Sequence, residues 1–114
     1  MCVDYRRVNE VMIKVRYHSP FIYEDIINCL KGDEAMVFAT LDLVSGYWQV
    51  AMDPKSIKYT AFTCDLGTFA WRRMQFGLCN AVATFQKLMN TMLAPALGRA
   101  CFVYLDDIVV YAKD

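Results

Sequence analysis

One histidine, His18, occurs in the 114 residues. A serine nucleophile would need a base, and a lone histidine just before a predicted helix suits a loop or capping role better than catalysis. The chain contains no G-x-x-x-x-G-K-[ST], no G-x-G-x-x-G, no H-E-x-x-H and no G-x-S-x-G. Phosphate-cradle, zinc-peptidase and serine-hydrolase readings therefore have no support. Net charge is also lacking: twelve basic residues balance twelve acidic ones, so composition gives no warrant for a nucleic-acid partner. A neutral total does not exclude one, since acids can gather at a centre while Arg6, Arg7, Lys14, Arg16, Lys55, Lys58, Arg72 and Arg73 line a surface. The five cysteines are widely separated and include no C-x-x-C. They read as reduced, mostly buried thiols of an intracellular protein, not as staples or zinc ligands. There is no N-terminal targeting signature, no repeat, no low-complexity linker and no apolar run of the roughly eighteen residues a membrane span needs.

Apolar residues are abundant, at 57% with 14% aromatic, enough for one domain with a real core. Met1 opens directly onto Cys2-Val3-Asp4 and Asp114 follows a strand pattern, so both ends look cut from something larger, predicting uncovered sheet edges and poor solubility. The centre of the chain's organisation is the stretch from Phe102 to Tyr111, where Asp106 and Asp107 interrupt two apolar strand segments. The simplest geometry is a β-hairpin with the acids at or beside its turn and Val103, Leu105, Val109 and Tyr111 on a core. Read alone, such a pair is either a polar turn or a site for a hard divalent cation that relieves the repulsion of neighbouring carboxylates.

Taken in order, residues 3 to 18 suggest strand or extended structure. Ser19-Pro20 opens a helix in which Ile22, Ile26, Cys29 and Leu30 share a face, ending near Lys31-Gly32. Met36 to Leu41 is an apolar strand that ends at Asp42, an acid placed before the bend Val44-Ser45-Gly46, with Tyr47 and Trp48 close behind. Lys58 to Thr63 reads as a strand, Asp65 to Thr68 as a reversal, and Phe69-Ala70-Trp71 as the return. Gln75 to Ala81 is a loop with a pivot glycine, and Asn80 is a reasonable N-cap for a helix carrying Val82, Phe85, Gln86, Met89, Met92 and Leu93 at three- and four-residue steps. Met89 and Met92 read as core filler. Helix, antiparallel strands, helix and acidic hairpin together make an α+β organisation.

Four blocks now carry a family resemblance: Val3 to Asn9, Leu41-Asp42-Leu43-Val44-Ser45-Gly46-Tyr47-Trp48-Gln49, Phe76 to Gln86, and Tyr104-Leu105-Asp106-Asp107. In this order and spacing they resemble the palm and part of the fingers of a reverse transcriptase, most closely that of gypsy-type long-terminal-repeat retrotransposons. The resemblance covers residues 1–114 and implies a partial fingers and palm domain truncated at both ends, its antiparallel sheet packed on two helices, with thumb and any RNase H domain of the parent polyprotein beyond Asp114. It implies an RNA-directed DNA polymerase that joins deoxynucleoside triphosphates to a primer 3′ hydroxyl on an RNA or DNA template. Asp42, Asp106 and Asp107 would be catalytic, and with the Leu43 carbonyl they would hold two Mg²⁺ ions, or Mn²⁺ in their place. Paired metals suit this chemistry, since one end of the reaction makes a nucleophile while the other sheds pyrophosphate.

By the same resemblance, Tyr47 would lie under the incoming sugar and disfavour a 2′ hydroxyl, and Phe76 and Gly77 would lie near the nucleotide. Arg6, Lys58, Arg72 and Arg73 would contact template or phosphates, setting position without reading bases. The implied setting is cytoplasmic, within retroelement particles, with no membrane. Relatives usually carry proline where Gln75 and Val82 stand, and losing a fixed φ at Val82 would loosen the loop that places Phe76 and Gly77. That departure, together with the missing flanking domains, leaves a second reading open: a degenerate or domesticated palm that binds nucleic acid or a partner protein without catalysis. The isolated fragment is expected to be inactive, because positioning supplies much of such catalysis.

Overall fold

The computed structural model describes residues 2–17, 24, 27, 28 and 36–113, and the chain divides into two compact units. One comprises Met1–Val15 with Ser45–Val82, the other Arg16–Val44 with Ala83–Asp114.

In the first unit the segment expected to be extended is helical from Arg6–Val11, α1. The overriding signal is local: a carboxylate oxygen of Asp4 accepts the Arg6 backbone N–H at 3.0 Å, satisfying one of the donors that a helix N-terminus leaves unpaired. A short helix, α2, follows at Gly46–Gln49, after Ser45 in the left-handed conformation (φ 53°, ψ 44°). The strand expected from Lys58 also gives way, to a 3₁₀ turn at Ile57–Thr60. The Thr60 hydroxyl donates to the Ile57 carbonyl at 2.7 Å and receives the Trp71 N–H at 2.9 Å. A side chain that competes for backbone groups in this way favours turns over strands. Strand structure begins later, with β2 at Phe62–Cys64 paired to β3 at Gly67–Phe69 around the expected reversal. Phe62 stacks on Trp71, 5.6 Å between centroids.

In the second unit β1, Met36–Asp42, has the predicted strand and end point. The final hairpin joins β4, Cys101–Tyr104, to β5, Asp107–Lys113. Both ladders are antiparallel, in the order β1-β5-β4, so the second arm of the hairpin is the central strand. Val103, Phe102, Cys101 and Tyr111 are buried here. Helix α3, Ala81–Met92, begins at the end of the first unit's sequence and runs on into this one. Its Phe85, Gln86 and Met89 are buried, but Met92 is 67% exposed and is not core filler. The Asn80 side chain, expected at the start of α3, is engaged with the N-terminal segment. Its amide donates to the Ile13 carbonyl at 2.8 Å and its oxygen accepts the Val15 N–H at 3.0 Å, tying the N-terminal segment to the loop. The helix expected from Ser19-Pro20, and His18 before it, lie outside the described residues except for Glu24, Ile27 and Asn28, which are helical. The α+β class stands, as a small mixed assembly of helices and antiparallel sheet.

Candidate active site

Two distant parts of the chain meet at the rim of the three-stranded sheet. β1 ends on Asp42, and the ladder sets Asp42 directly opposite Asp107, the first residue of β5. The hairpin connection is the two-residue turn Leu105-Asp106, since Tyr104 pairs with Asp107. The Leu43 N–H donates to the Asp106 carbonyl at 3.1 Å, continuing the contact past the last ladder pair. Leu105 has φ 54°, a value that a two-residue hairpin loop demands at its first position and that glycine usually supplies. A leucine there is strained, so the surroundings must hold it.

Burial pushes the Asp106 carboxyl above the ordinary carboxylate range, and the charges of Asp42 and Asp107 push it further in the same direction. Its Oδ1 is buried without a hydrogen-bond partner among the described residues. Burial leaves an anion costly and repulsion from two more carboxylates adds to that cost, which an oxygen-seeking divalent cation would offset. Among the described residues, however, no three acidic, histidine or cysteine side chains gather into a ready metal-holding group. Asp42 and Asp107 face each other across the ladder while Asp106 sits one step off in the turn. The donor set is therefore chemically fit for a hard cation without being drawn into a closed shell.

Sequence reasoning passed over the group behind this turn. Gln86, 2% exposed on the apolar stripe of α3, accepts the Leu105 N–H at 2.8 Å through Oε1. Its Nε2 donates to the Val103 carbonyl at 3.2 Å and to Asn90 Oδ1 at 2.9 Å. Asn90 in turn donates to the Tyr17 hydroxyl at 2.7 Å. The available signal was a glutamine recurring in phase with Phe85 and Met89, since a polar residue on a buried stripe is retained only when hydrogen-bonded.

The nucleotide-side expectations fall in the first unit. Tyr47, on α2, is buried and packs on Phe76 with ring centroids 4.9 Å apart, and Trp48 meets the same ring edge-on at 5.9 Å. Phe76 remains half exposed. Gly77 has φ 87°, which explains glycine at that pivot. Asn9 holds the loop from below: its amide donates to the Gly77 carbonyl at 2.7 Å and its oxygen accepts the Cys79 N–H at 2.9 Å. Gln75, one of the two departures from proline, is buried with its amide donating to the Arg73 carbonyl at 3.3 Å. Val82, the other, is half exposed in the first turn of α3.

The basic residues are exposed but not equally available. Arg6 is held by Asp4 in a fork of contacts from 2.6 to 3.0 Å, which draws the Asp4 carboxyl down to about 2. Arg73 donates to the Gln49 carbonyl at 3.1 Å, and the Lys58 ammonium lies 5.1 Å from the centre of the Tyr59 ring. Arg72 is exposed, with its carbonyl accepting the Met52 N–H.

The family model described as "Reverse transcriptase (RNA-dependent DNA polymerase)" matches residues 1–114. The chain belongs to this reverse transcriptase family. It is 44% identical over 110 residues to the retrovirus-related Pol polyprotein from transposon 297 of Drosophila melanogaster, covering 96% of this chain and 10% of that protein. It is 34% identical over 114 residues to the Pol polyprotein from transposon gypsy of the same species, covering 100% of this chain and 11% of that protein. The chain thus spans about a tenth of the length of both relatives. Among solved structures, the foamy viral protease-reverse transcriptase in complex with RNA/DNA hybrid superposes with a TM-score of 0.77 at 25% identity, over 97% of this chain and 14% of that one. The resemblance to gypsy-type elements and the polymerase fold class are thereby established for this reverse transcriptase segment. Divalent metal use is general in the family, and no helix among the described residues is long and apolar enough to cross a membrane.

Proposed function

We propose that the chain carries the nucleotidyl-transfer centre of an RNA-directed DNA polymerase, acting on deoxynucleoside triphosphates and a primer paired to an RNA or DNA template. The observation that supports this most is the meeting of Asp42 with Asp107 beside the Leu105-Asp106 turn, where a buried carboxylate oxygen of Asp106 has no protein partner among the described residues. Asp42, Asp106 and Asp107, with the Leu43 carbonyl, would hold Mg²⁺ or Mn²⁺. Such ions lower the pKa of the attacking hydroxyl and stabilise charge on the leaving pyrophosphate. The family's solved relative in complex with an RNA/DNA hybrid supports a nucleic-acid partner for this chain as well.

In the other unit, Tyr47 is assigned to the incoming sugar, where its ring, backed by Phe76, would collide with a 2′ hydroxyl. Phe76 and Gly77 are assigned to the nucleotide, and Arg6, Lys58, Arg72 and Arg73 to phosphates. Arg6 would have to exchange its pairing with Asp4 for a phosphate, an exchange between two charge-assisted partners of similar strength. Gln75 and Val82 give the non-catalytic alternative no support, since the first is hydrogen-bonded and the second sits on the surface.

The test is primer extension on an RNA template by this segment joined to complete fingers and thumb from a relative, beside the same protein with Asp106→Asn. Extension that falls by at least a thousandfold in the variant, with the fold intact by circular dichroism, is the expected result. Equal extension by both proteins removes Asp106 from the chemistry.

A further inference from the structure

We infer that Gln86 is a positioning residue for the acidic turn: it fixes the two peptides flanking Tyr104, which lead into Asp106 at the sheet rim, and makes its bonds to backbone, not to the carboxylates. The inference rests on the metal-centre reading above. Three observations lead to it. Gln86 is 2% exposed on a helix face otherwise filled by Phe85 and Met89, a place where an amide costs more than a methionine unless all its polar atoms are used. Its donor and acceptor match the Val103 carbonyl and the Leu105 N–H, 3.2 and 2.8 Å away, two backbone groups on either side of the last β4 residue. And Leu105 adopts φ 54°, which a leucine does not hold unaided.

The two bonds act on successive parts of the hairpin. The first anchors the end of β4. The second captures the N–H at the start of the turn, whose partner the β4–β5 ladder does not provide, because the last pair is Tyr104 with Asp107. With that N–H fixed, the strained φ of Leu105 is determined and so is the direction in which Asp106 leaves the turn. Asn90 and the Tyr17 hydroxyl, at 2.9 and 2.7 Å in sequence, orient the Gln86 amide so that nitrogen faces Val103 and oxygen faces Leu105. The result is a chain of polar contacts from Tyr17 to the acidic turn through the middle of an apolar helix face.

The experiment is Mn²⁺ titration of the full ¹⁵N-labelled chain followed by broadening of backbone amide signals, together with amide exchange of Leu105. Wild-type protein is expected to show selective broadening around Asp42, Asp106 and Asp107, lost in Asp106→Asn. Gln86→Met, close in volume but without the amide, is expected to need at least tenfold more Mn²⁺ for the same broadening, as supporting hydrogen bonds to ligands generally do. Met89→Ala, which empties the same buried face while keeping both Gln86 bonds to the turn, destabilises the fold yet should leave the Mn²⁺ concentration unchanged. A general loss of stability would move both variants together.

Gln86→Met that binds Mn²⁺ as wild type does would overturn the positioning role and leave the metal reading standing. Wild-type broadening that ignores residues 106 and 107 sinks the metal reading, and the positioning role with it. Amide exchange in the wild type decides the matter even if Gln86→Met does not fold. The Leu105 amide should be protected as strongly as that of Phe102, which pairs with Val109 inside the ladder, and one that exchanges as freely as an open turn refutes the clamp.

Discussion

Single residues in this chain are most informative where a charge has been given a partner. Asp4 and Arg6 are both exposed, yet the fork between them draws the Asp4 carboxyl to about 2, first through the Arg6 side chain and then through its backbone N–H. A folded-state value below the unfolded one means that the contribution is fully present above the ordinary carboxylate range. It is lost as pH falls through about 2, since the unfolded chain takes up its proton first. Screening by solvent keeps the effect on stability small, so the site-specific observable is the carboxyl carbon shift of Asp4. Its midpoint is expected near 2 in the native chain, rising part of the way back toward the ordinary carboxylate range in Arg6→Gln, which keeps the backbone N–H bond. An unchanged midpoint in the variant would mean that the ion pair is not formed in solution. The same pairing bears on function, because any phosphate that reaches Arg6 must first compete with Asp4.

At the scale of elements, the legible features were those written in several residues at once. The strand ending on Asp42 and the hairpin around Asp106 were readable because apolar runs broken by acids allow few alternatives at a sheet rim. The α1 helix was not, because a single Asp4 carboxylate accepting a backbone N–H outweighs the β-branched residues around it. The strand expected from Lys58 failed for a similar reason, with Thr60 turning its hydroxyl on backbone groups at both ends of a tight turn. What remained hidden in both units was long-range: the partners of Asn9, Asn80 and Gln86 lie 65 or more residues away for the two asparagines and 17 to 19 away for Gln86. Periodicity marks such side chains as polar and says nothing of what they hold. Asn9 gives a prediction of its own. Removing both of its bonds to the Gly77 loop in Asn9→Ala is expected to lower stability by about 1–2 kcal/mol, measured by urea denaturation, and to speed amide exchange at Cys79 while leaving the acidic turn untouched. Equal acceleration at Leu105 would show a general loosening instead of a local one.

For the whole molecule, the unusual quantity is the apolar surface that stays in water. Among the described residues β1 lies at the edge of the β1-β5-β4 sheet, yet Val37, Phe38 and Leu41 along it are 57%, 45% and 55% exposed. Neighbouring positions on a strand face opposite ways, so both faces of this edge are open and not one alone. An edge whose outer side pairs with no strand among the described residues, with apolar side chains on both faces, is a template for pairing with another strand. The free chain is therefore expected to associate as its concentration rises, read by sedimentation velocity, and Val37→Lys should cut that association several-fold. Lysine is a common edge-strand guard, and at an exposed position it disturbs no packing. Because Val37 pairs with Ala112 at the far end of the ladder from Asp42 and Asp107, the variant should bind Mn²⁺ as the native chain does. Association that persists unchanged in Val37→Lys would place the sticky surface elsewhere, among the exposed Val11, Ile13 and Val15 of the first unit, and the same substitution made at Ile13 would then be the one that restores a monomer.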